Sequence, residues 1–569
     1  MSAEATSRRT AAHALLERHR PTLDEALAAI RARGYWSPYP EVPKAYGEDA
    51  AARGEEAFAA YRDAPFPLEQ PGTREWVGEE RSPFGFDLGI TYPRPDLDAL
   101  LAAAAAALPA WRDAGADLRA GVVLELLAQL NLRSHEIAEA VMHTTGQAPA
   151  MAFQAGGPHA QDRALEAVAY AYEAMHAVPG EARWEKPQGK RPPLVLRKRY
   201  TVVPRGIALV IGCNTFPTWN GYPGLFASLV TGNPVVVKPS RRAVLPLAIT
   251  VAIAREVLAE AGFDPNLVTL AAERADERLA SELAARPEVR IIDYTGSTAF
   301  GERLERESTQ AVVFTEKAGV NTVAIDSTDD YRGMLSNLAF TLSLYSGQMC
   351  TTTQNLLVPR DGIATDDGPK SLAEVAADLA GAIDGLLGDV GRATAILGAI
   401  ANDAILERLA DVGELGEVVL ASKAVEHPDF PQAVVRTPAL VQVAGPDAAA
   451  VREEQFGPIA LIVPTADTRE SLRVLGETAR THGAITAGIY STDATVLAAA
   501  EETALAAGVA LSLNLTGGVY VNQSAAYSDF HATGLNPAAN ASLTDAAFVA
   551  PRFHVVQVRW HEPAEEAVA

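Results

Sequence analysis

Cysteine is nearly absent from this chain: Cys213 and Cys350 are the only two in 569 residues. Two thiols cannot build a secreted disulfide framework or a thiolate zinc centre, and no metal site is expected. They suit a reducing, intracellular setting. Positive charge is also short, with 48 lysines and arginines against 71 acids and a net charge of −23. Such a surface repels phosphate backbones, which argues against a nucleic-acid partner. Long apolar runs are missing. The longest, from Ala99 to Trp111, is alanine-rich, broken by Pro109 and too short to cross a bilayer. The opening stretch MSAEATSRRTAAHALLERHR holds no continuous apolar segment of secretory type. The expectation is a cytoplasmic protein without a membrane partner. A GxGxxG dinucleotide fingerprint is lacking as well.

What is present is ordinary folded material. A hydrophobic fraction of 48% excludes wholesale disorder, and at roughly 100–200 residues per domain the length suggests about three or four structural units. Residues 1–85 read as an appended arm, in which Thr22 and Glu25 predict a capping box opening a helix that Gly34 closes. YWSPYPEVP (35–43) then predicts an extended connection, because each proline restricts itself and its predecessor. Helical patterning begins near residue 96. From 204 to 315 short β-branched runs (GIALVIG, PVVVK, NLVTL, VRIIDYT, VVFT) alternate with helical stretches near 244–261 and 274–285. This is the pattern of βαβ units on a parallel sheet. A second alternation runs from Asn321 to Asn522. PLVLRKRYTVV (193–203) and RFHVVQVRW (552–560) are strand candidates outside both blocks, of the kind that pair between subunits.

Open parallel sheets bind ligands beyond their C-terminal strand ends, where helix N-termini offer free N–H groups. Two loops meet that need. Lys238, Pro239, Ser240, Arg241 and Arg242 follow PVVVK, and Gly296-Ser297-Thr298-Ala299-Phe300-Gly301 follows VRIIDYT. Cys350, in Ser346-Gly347-Gln348-Met349-Cys350, ends an apolar helical pattern that begins near Leu335. A lone cysteine is either a small buried hydrophobe or a nucleophile that needs a base and oxyanion donors. Glu316, after the last strand of the first block, is either a solvated loop acid or a general base whose pKa is raised by its apolar neighbours.

In order and spacing these motifs resemble the NAD(P)-dependent aldehyde dehydrogenase superfamily over roughly residues 85–560. The matching stretches are TTGQ (144–147), FPTWNGYPGLFASLVTGNPVVVKPS (216–240), YTGSTAFG (294–301), TEKAG (315–319), GQMC (347–350), EEQFGP (453–458) and VYVN (519–522). The resemblance implies an α/β fold with a Rossmann-type cofactor domain (86–190 and 204–315), an α/β catalytic domain (316–545) and β oligomerisation strands (191–203 and 550–562). It implies Cys350 as nucleophile and Glu316 as general base, with Asn214 as the donor to the oxyanion. It places Lys238, Ser240, Arg241, Gly296, Ser297, Gly301, Glu454 and Phe456 around a dinucleotide. Counting back from Lys238 puts Thr215, not Asn214, in the donor register; Asn214 is preferred because an amide reaches farther than a hydroxyl. Cys213 reads as packing.

NAD-selective members carry an acid where this chain has Arg241, so NADP is the expected cofactor, with NAD possible. The arm and the ending SDFHATGLNPAANASLTDAAFVAPRFHVVQVR look most like the phenylacetate-degradation (PaaN) branch. That branch implies a small-molecule aldehyde substrate linked to coenzyme A, oxidised to the acid. Tyr527, Asp529, Phe530 and His531 are then tunnel candidates. A coenzyme-A-acylating dehydrogenase, and more remotely a non-catalytic protein on the same fold, are the competing readings. A homodimer or homotetramer is expected.

Overall fold

A computed structural model describes residues 3–562, and of residues 3–12 only the backbone. The arm begins with α1 (Ala3–Ala32), which runs through Pro21. The capping box expected at Thr22 is therefore not a helix start. Pro21 forfeits one intrahelical bond, but Leu16, Leu23, Ala26 and Ile30 bury against the helical layer behind, and that packing overrides the local signal. Glu25 instead accepts from Trp36 Nε1 at 3.2 Å. The layer comprises α2 (Ala116–Leu132) and α3 (Pro158–His176), whose inward faces are almost wholly buried.

A hairpin-linked pair, β1 (Glu181–Gln188) and β2 (Arg191–Pro204), then leads into the first parallel sheet. Its elements are β3 (Ile207–Ile211), α4 (Pro217–Val230), β4 (Val235–Lys238), α5 (Leu245–Glu260), β5 (Val268–Leu270), β6 (Val289–Thr295), α6 (Thr298–Glu307) and β7 (Val312–Glu316). The strand order is β5-β4-β3-β6-β7, all parallel. Strands covered on both faces read as unbroken apolar runs, which is why this block was legible. The helix expected over 274–285 shrinks to Leu279–Ala284, because Glu277 is drawn off to Arg94 and Glu273 to Lys238.

The second sheet holds β8 (Asn321–Ile325), β9 (Thr353–Pro359), β10 (Glu417–Leu420), β11 (Ala439–Gln442), β12 (Ile459–Thr465), β13 (Thr486–Tyr490) and β14 (Ala510–Leu513). Its order is β10-β11-β12-β9-β8-β13-β14, with only the β10–β11 pair antiparallel. The chain closes with β15 (Phe553–His561), which pairs along β2 in the ribbon β15-β2-β1. Just before β15, Arg552 enters the core. It is fully buried and makes a two-pronged bond to Asp293 on β6, at 2.6 and 2.8 Å, between the rings of Phe314 and Phe548. Among the described residues no helix is long and apolar enough to cross a membrane.

Candidate active site

Glu316 is the last residue of β7, so its carboxylate leaves the C-terminal edge of the first sheet. Cys350 follows the helix Tyr331–Ser343 through a sharp turn. There Tyr345 and Ser346 take left-handed φ values of 53° and 51°, a strained region for residues with a Cβ. Tyr345 is held by its hydroxyl on the Thr145 carbonyl, and Ser346 Oγ donates to Leu397 O at 3.0 Å. Gly347 completes the turn at φ 65°, where a Cβ would lie 2.2 Å from the Gly457 carbonyl oxygen. This is the physical reason for the glycine of GQMC. His531 comes from the irregular segment after β14, pinned to Leu543 by a reciprocal backbone pair at 3.0 and 2.9 Å.

These three distant stretches converge. Cys350 Sγ lies 3.8 Å from His531 Nε2, and the same nitrogen lies 3.2 Å from Glu316 Oε1. The sulfur, imidazole and carboxylate atoms all fall within 4.8 Å of one another. Glu316 Oε2 accepts from Asn220 Nδ2 at 2.8 Å, and Asn220 Oδ1 faces Cys213 Sγ at 3.6 Å. Burial pushes the Cys213 thiol up to about 12, which leaves it a packing group that steadies Asn220. Burial, and next the neighbouring Glu316 charge, push the Cys350 thiol well above its ordinary range. The raised carboxyl expected from apolar neighbours is not found: burial does act to raise Glu316, but His531, Cys350 and Asn220 outweigh it and hold the carboxyl below its usual value. Trp219 sets its ring edge-on to His531 at 4.7 Å. The arrangement offers a sulfur nucleophile, a nitrogen that can take its proton and a carboxylate beside both.

The structure does not bring Asn214 into the cavity beside Cys350. Its amide donates to Thr144 O at 3.4 Å, while Thr215 O accepts from Gln147 Nε2 at 2.8 Å. Asn220, in the first turn of α4, lines that cavity instead. A chain count fixes register but not the direction in which a loop side chain turns. Of the tunnel candidates only His531 reaches the thiol. Tyr527 is buried behind Trp36, Phe530 lies under the Arg33 guanidinium, and Asp529 accepts from Ala525 N.

β4 and β6 flank β3 in the first sheet, so their C-terminal ends lie side by side. Gly296 N donates to Glu316 O at 3.0 Å, and Tyr294 Oη donates to Ser297 O at 2.9 Å. Ser297 caps α6 without a side-chain bond, so the first-turn N–H groups are left without a side-chain acceptor. A Cβ on Gly301 would meet Lys317 Cδ at 2.7 Å. Lys238 pairs with Glu273, and Arg241 with Glu79 at 3.0 Å. Ser240 Oγ accepts from Arg242 N at 3.4 Å. Glu454 Oε1 accepts from Gly319 N at 3.3 Å, and burial pushes its carboxyl up to about 7. Phe456 packs against the second core. Free N–H groups beside a cation–carboxylate pair are the donor set a dinucleotide requires, so these residues fit one.

Residues 91–534 match the family model described as the Aldehyde dehydrogenase family. The chain belongs to that family. Its members are oxidoreductases that act on aldehydes. Among curated relatives it is 28% identical over 397 residues to the N-succinylglutamate 5-semialdehyde dehydrogenase of Chromobacterium violaceum, covering 67% of this chain and 74% of that one. The enzyme of the same name from Paraburkholderia xenovorans is 27% identical over 434 residues, with 74% and 80% covered. Among solved structures, an NAD-dependent aldehyde dehydrogenase from Burkholderia multivorans superposes with a TM-score of 0.96 at 58% identity, over 97% of this chain and 100% of that one. A Thermus thermophilus 1-pyrroline-5-carboxylate dehydrogenase shares the fold, with a TM-score of 0.72 at 19% identity over 93% and 99%.

Proposed function

We propose that this aldehyde dehydrogenase converts its aldehyde to the free carboxylic acid, with Cys350 as nucleophile and Glu316 as the base that activates water. The observation that carries this reading is the cluster of Cys350 Sγ, His531 Nε2 and Glu316 Oε1 within 4.8 Å. His531 takes the thiol proton, and the sulfur adds to the carbonyl carbon. In this reading the Asn220 amide and the Cys350 N–H, both on the cavity wall, are the donors to the oxygen that gains charge. The dinucleotide, when bound, supplies the hydride acceptor. The thioester left on Cys350 is cleaved by a water that Glu316 deprotonates, and Cys350 regains its proton through His531. A carboxylate at this distance favours hydrolysis over acyl transfer to coenzyme A.

The same reading takes NAD as the cofactor. Arg241, the residue that suggested NADP, is engaged by Glu79, and Glu273 adds a second carboxylate beside Lys238. Both repel a 2′-phosphate. The solved relative at 58% identity is named as NAD-dependent, which supports this choice. The coenzyme-A-linked semialdehyde of the phenylacetate branch has no support in the cavity lining, which among the described residues contains neither lysine nor arginine. A homo-oligomer is part of the proposal. The ribbon β15-β2-β1 has two open edges and carries Val556 and Trp560 about half exposed, a surface that pairing with another subunit would cover.

The test is product analysis with NAD, aldehyde and coenzyme A together. The expected product is the acid, with no acyl-CoA. Cys350→Ser should abolish NADH formation. Glu316→Gln should give one burst of NADH and an acyl adduct on Cys350 by mass spectrometry. Acyl-CoA as the main product would overturn the hydrolytic reading.

A further inference from the structure

A cavity of about 470 Å³ leads from solvent to Cys350. Its outer wall includes Tyr35, Trp36, Ser37 and Glu41, all in the connection after α1 and so outside residues 91–534 that match the family model. Tyr35 stands at the lip, 84% exposed. The connection is fastened to the rest of the site. Arg33 Nη2 donates to Ser528 O at 3.1 Å and its guanidinium lies 3.9 Å over the Phe530 ring. Trp36 packs edge-on to Tyr527 at 4.9 Å, and Ser37 Oγ donates to Asp162 Oδ1 at 3.0 Å.

Deeper in, Trp219, Phe216, Phe340, Leu344 and Met349 form an apolar sleeve around the thiol. Apart from Cys350, His531 and the Tyr35 phenol at the lip, the ionisable groups on the wall are Glu41, His159 and Asp162. Glu41 lies 3.1 Å from His159, and Asp162 is buried. Burial pushes the Asp162 carboxyl well above its ordinary range. Arg163 reaches the back of Trp219, but it is taken up by Glu166 at 2.8 Å.

We infer that residues 35–41 and this sleeve select an aldehyde borne on an uncharged aromatic or hydrocarbon body and exclude aldehydes that carry a carboxylate or phosphate. The inference rests on the aldehyde oxidation proposed above and names its substrate class. A carboxylate entering the cavity loses its hydration, meets no lysine or arginine on the wall and passes Glu41. An aryl body instead finds ring edges and faces at Trp36 and Trp219.

The test is a steady-state comparison of acetaldehyde, 3-phenylpropanal and succinate semialdehyde with the full chain and NAD. We expect kcat/KM for 3-phenylpropanal to exceed that for succinate semialdehyde by about tenfold or more. Trp36→Ala should lower the 3-phenylpropanal to acetaldehyde ratio by about tenfold, through KM. Tyr35→Ala, at an exposed lip position that folding does not need, should lower it in the same direction. Glu41→Lys should raise succinate semialdehyde turnover by about tenfold. If acetaldehyde is oxidised but succinate semialdehyde equals 3-phenylpropanal, or the arm variants leave both ratios unchanged, the selectivity inference alone falls. If the folded protein oxidises none of the three, aldehyde oxidation falls with it.

Discussion

His531→Asn removes the imidazole that stands between the thiol and the carboxylate while leaving an amide of similar reach. Its effect can be sized from the distances. An imidazolium 3.8 Å from a thiolate gains about 4 kcal/mol at an effective dielectric of about 20, which opposes the rise that burial and the Glu316 charge impose on the thiol. Glu316 Oε1, at 3.2 Å from the same nitrogen, competes for that proton and reduces the share reaching sulfur. The net expectation is a loss of about 10²–10³-fold in Cys350 reactivity near neutral pH, within the range of general-base effects. The assay is peptide-resolved alkylation of Cys350 by iodoacetamide across pH. Cys213, with its thiol near 12, contributes little background. The wild-type rate should be appreciable at neutral pH, and the variant's should climb only as the medium turns strongly alkaline. Glu316→Gln should not slow alkylation, because it removes the charge that holds the thiol up, yet it should block product release. Coincident pH profiles for wild type and His531→Asn would refute the proton-acceptor role.

Four further outcomes follow from other contacts. Glu79→Ala frees Arg241 and should improve kcat/KM for NADP relative to NAD by about tenfold, measured with either cofactor at saturating aldehyde. Glu454 has its carboxyl near 7, and in the proposed cofactor site it would hold the ribose hydroxyls more strongly when ionised. The KM for NAD should therefore rise as pH falls below about 7, a dependence that Glu454→Gln should abolish. Glu80 is buried, accepts from the N–H groups of Val244 and Leu245 that open α5, and has its carboxyl pushed up to about 7 by burial. Because the folded chain keeps this proton longer than the unfolded one, stability is highest below the unfolded value and falls by about 3 kcal/mol as pH rises through about 7. Glu80→Gln should flatten the dependence of Tm on pH over that window. Arg552→Met strands Asp293 in the core and should cost about 3–5 kcal/mol in denaturant unfolding, whereas Arg552→Met with Asp293→Leu should recover most of the loss.

Local chemistry made the first sheet readable. Its strands are buried on both faces and appear as unbroken β-branched runs, and glycines at 296, 301 and 347 stand where a Cβ would collide with Tyr294, Lys317 and Gly457. Cys350 and Glu316 were recognisable from the motifs around them. His531 was no more than a tunnel candidate, because its segment has no periodicity and takes its shape from Arg163, Glu166 and Leu543, far off along the chain. Asn220 was hidden for a different reason. It sits inside a helical run where an amide reads as surface, and only the fold turns it towards Glu316. Arg241 was visible but its partner was not, since Glu79 lies in the arm, 162 residues earlier. The helix through Pro21 shows the same limit, with packing deciding against a local rule.

The bond between Arg552 and Asp293 also sets an order of events during synthesis. β6 is an inner strand of the first sheet, between β3 and β7, and its Asp293 carboxylate has Arg552 as its cation, contributed just before β15. While the ribosome is still adding the second sheet, the first carries an acid in its interior with no counter-charge. Domains fold in turn from the N-terminus as they emerge. The bond joins positions 259 residues apart, so the first sheet gains it only after Arg552 has been added. A chain cut anywhere before Arg552 would leave the Asp293 carboxylate in the core without this partner.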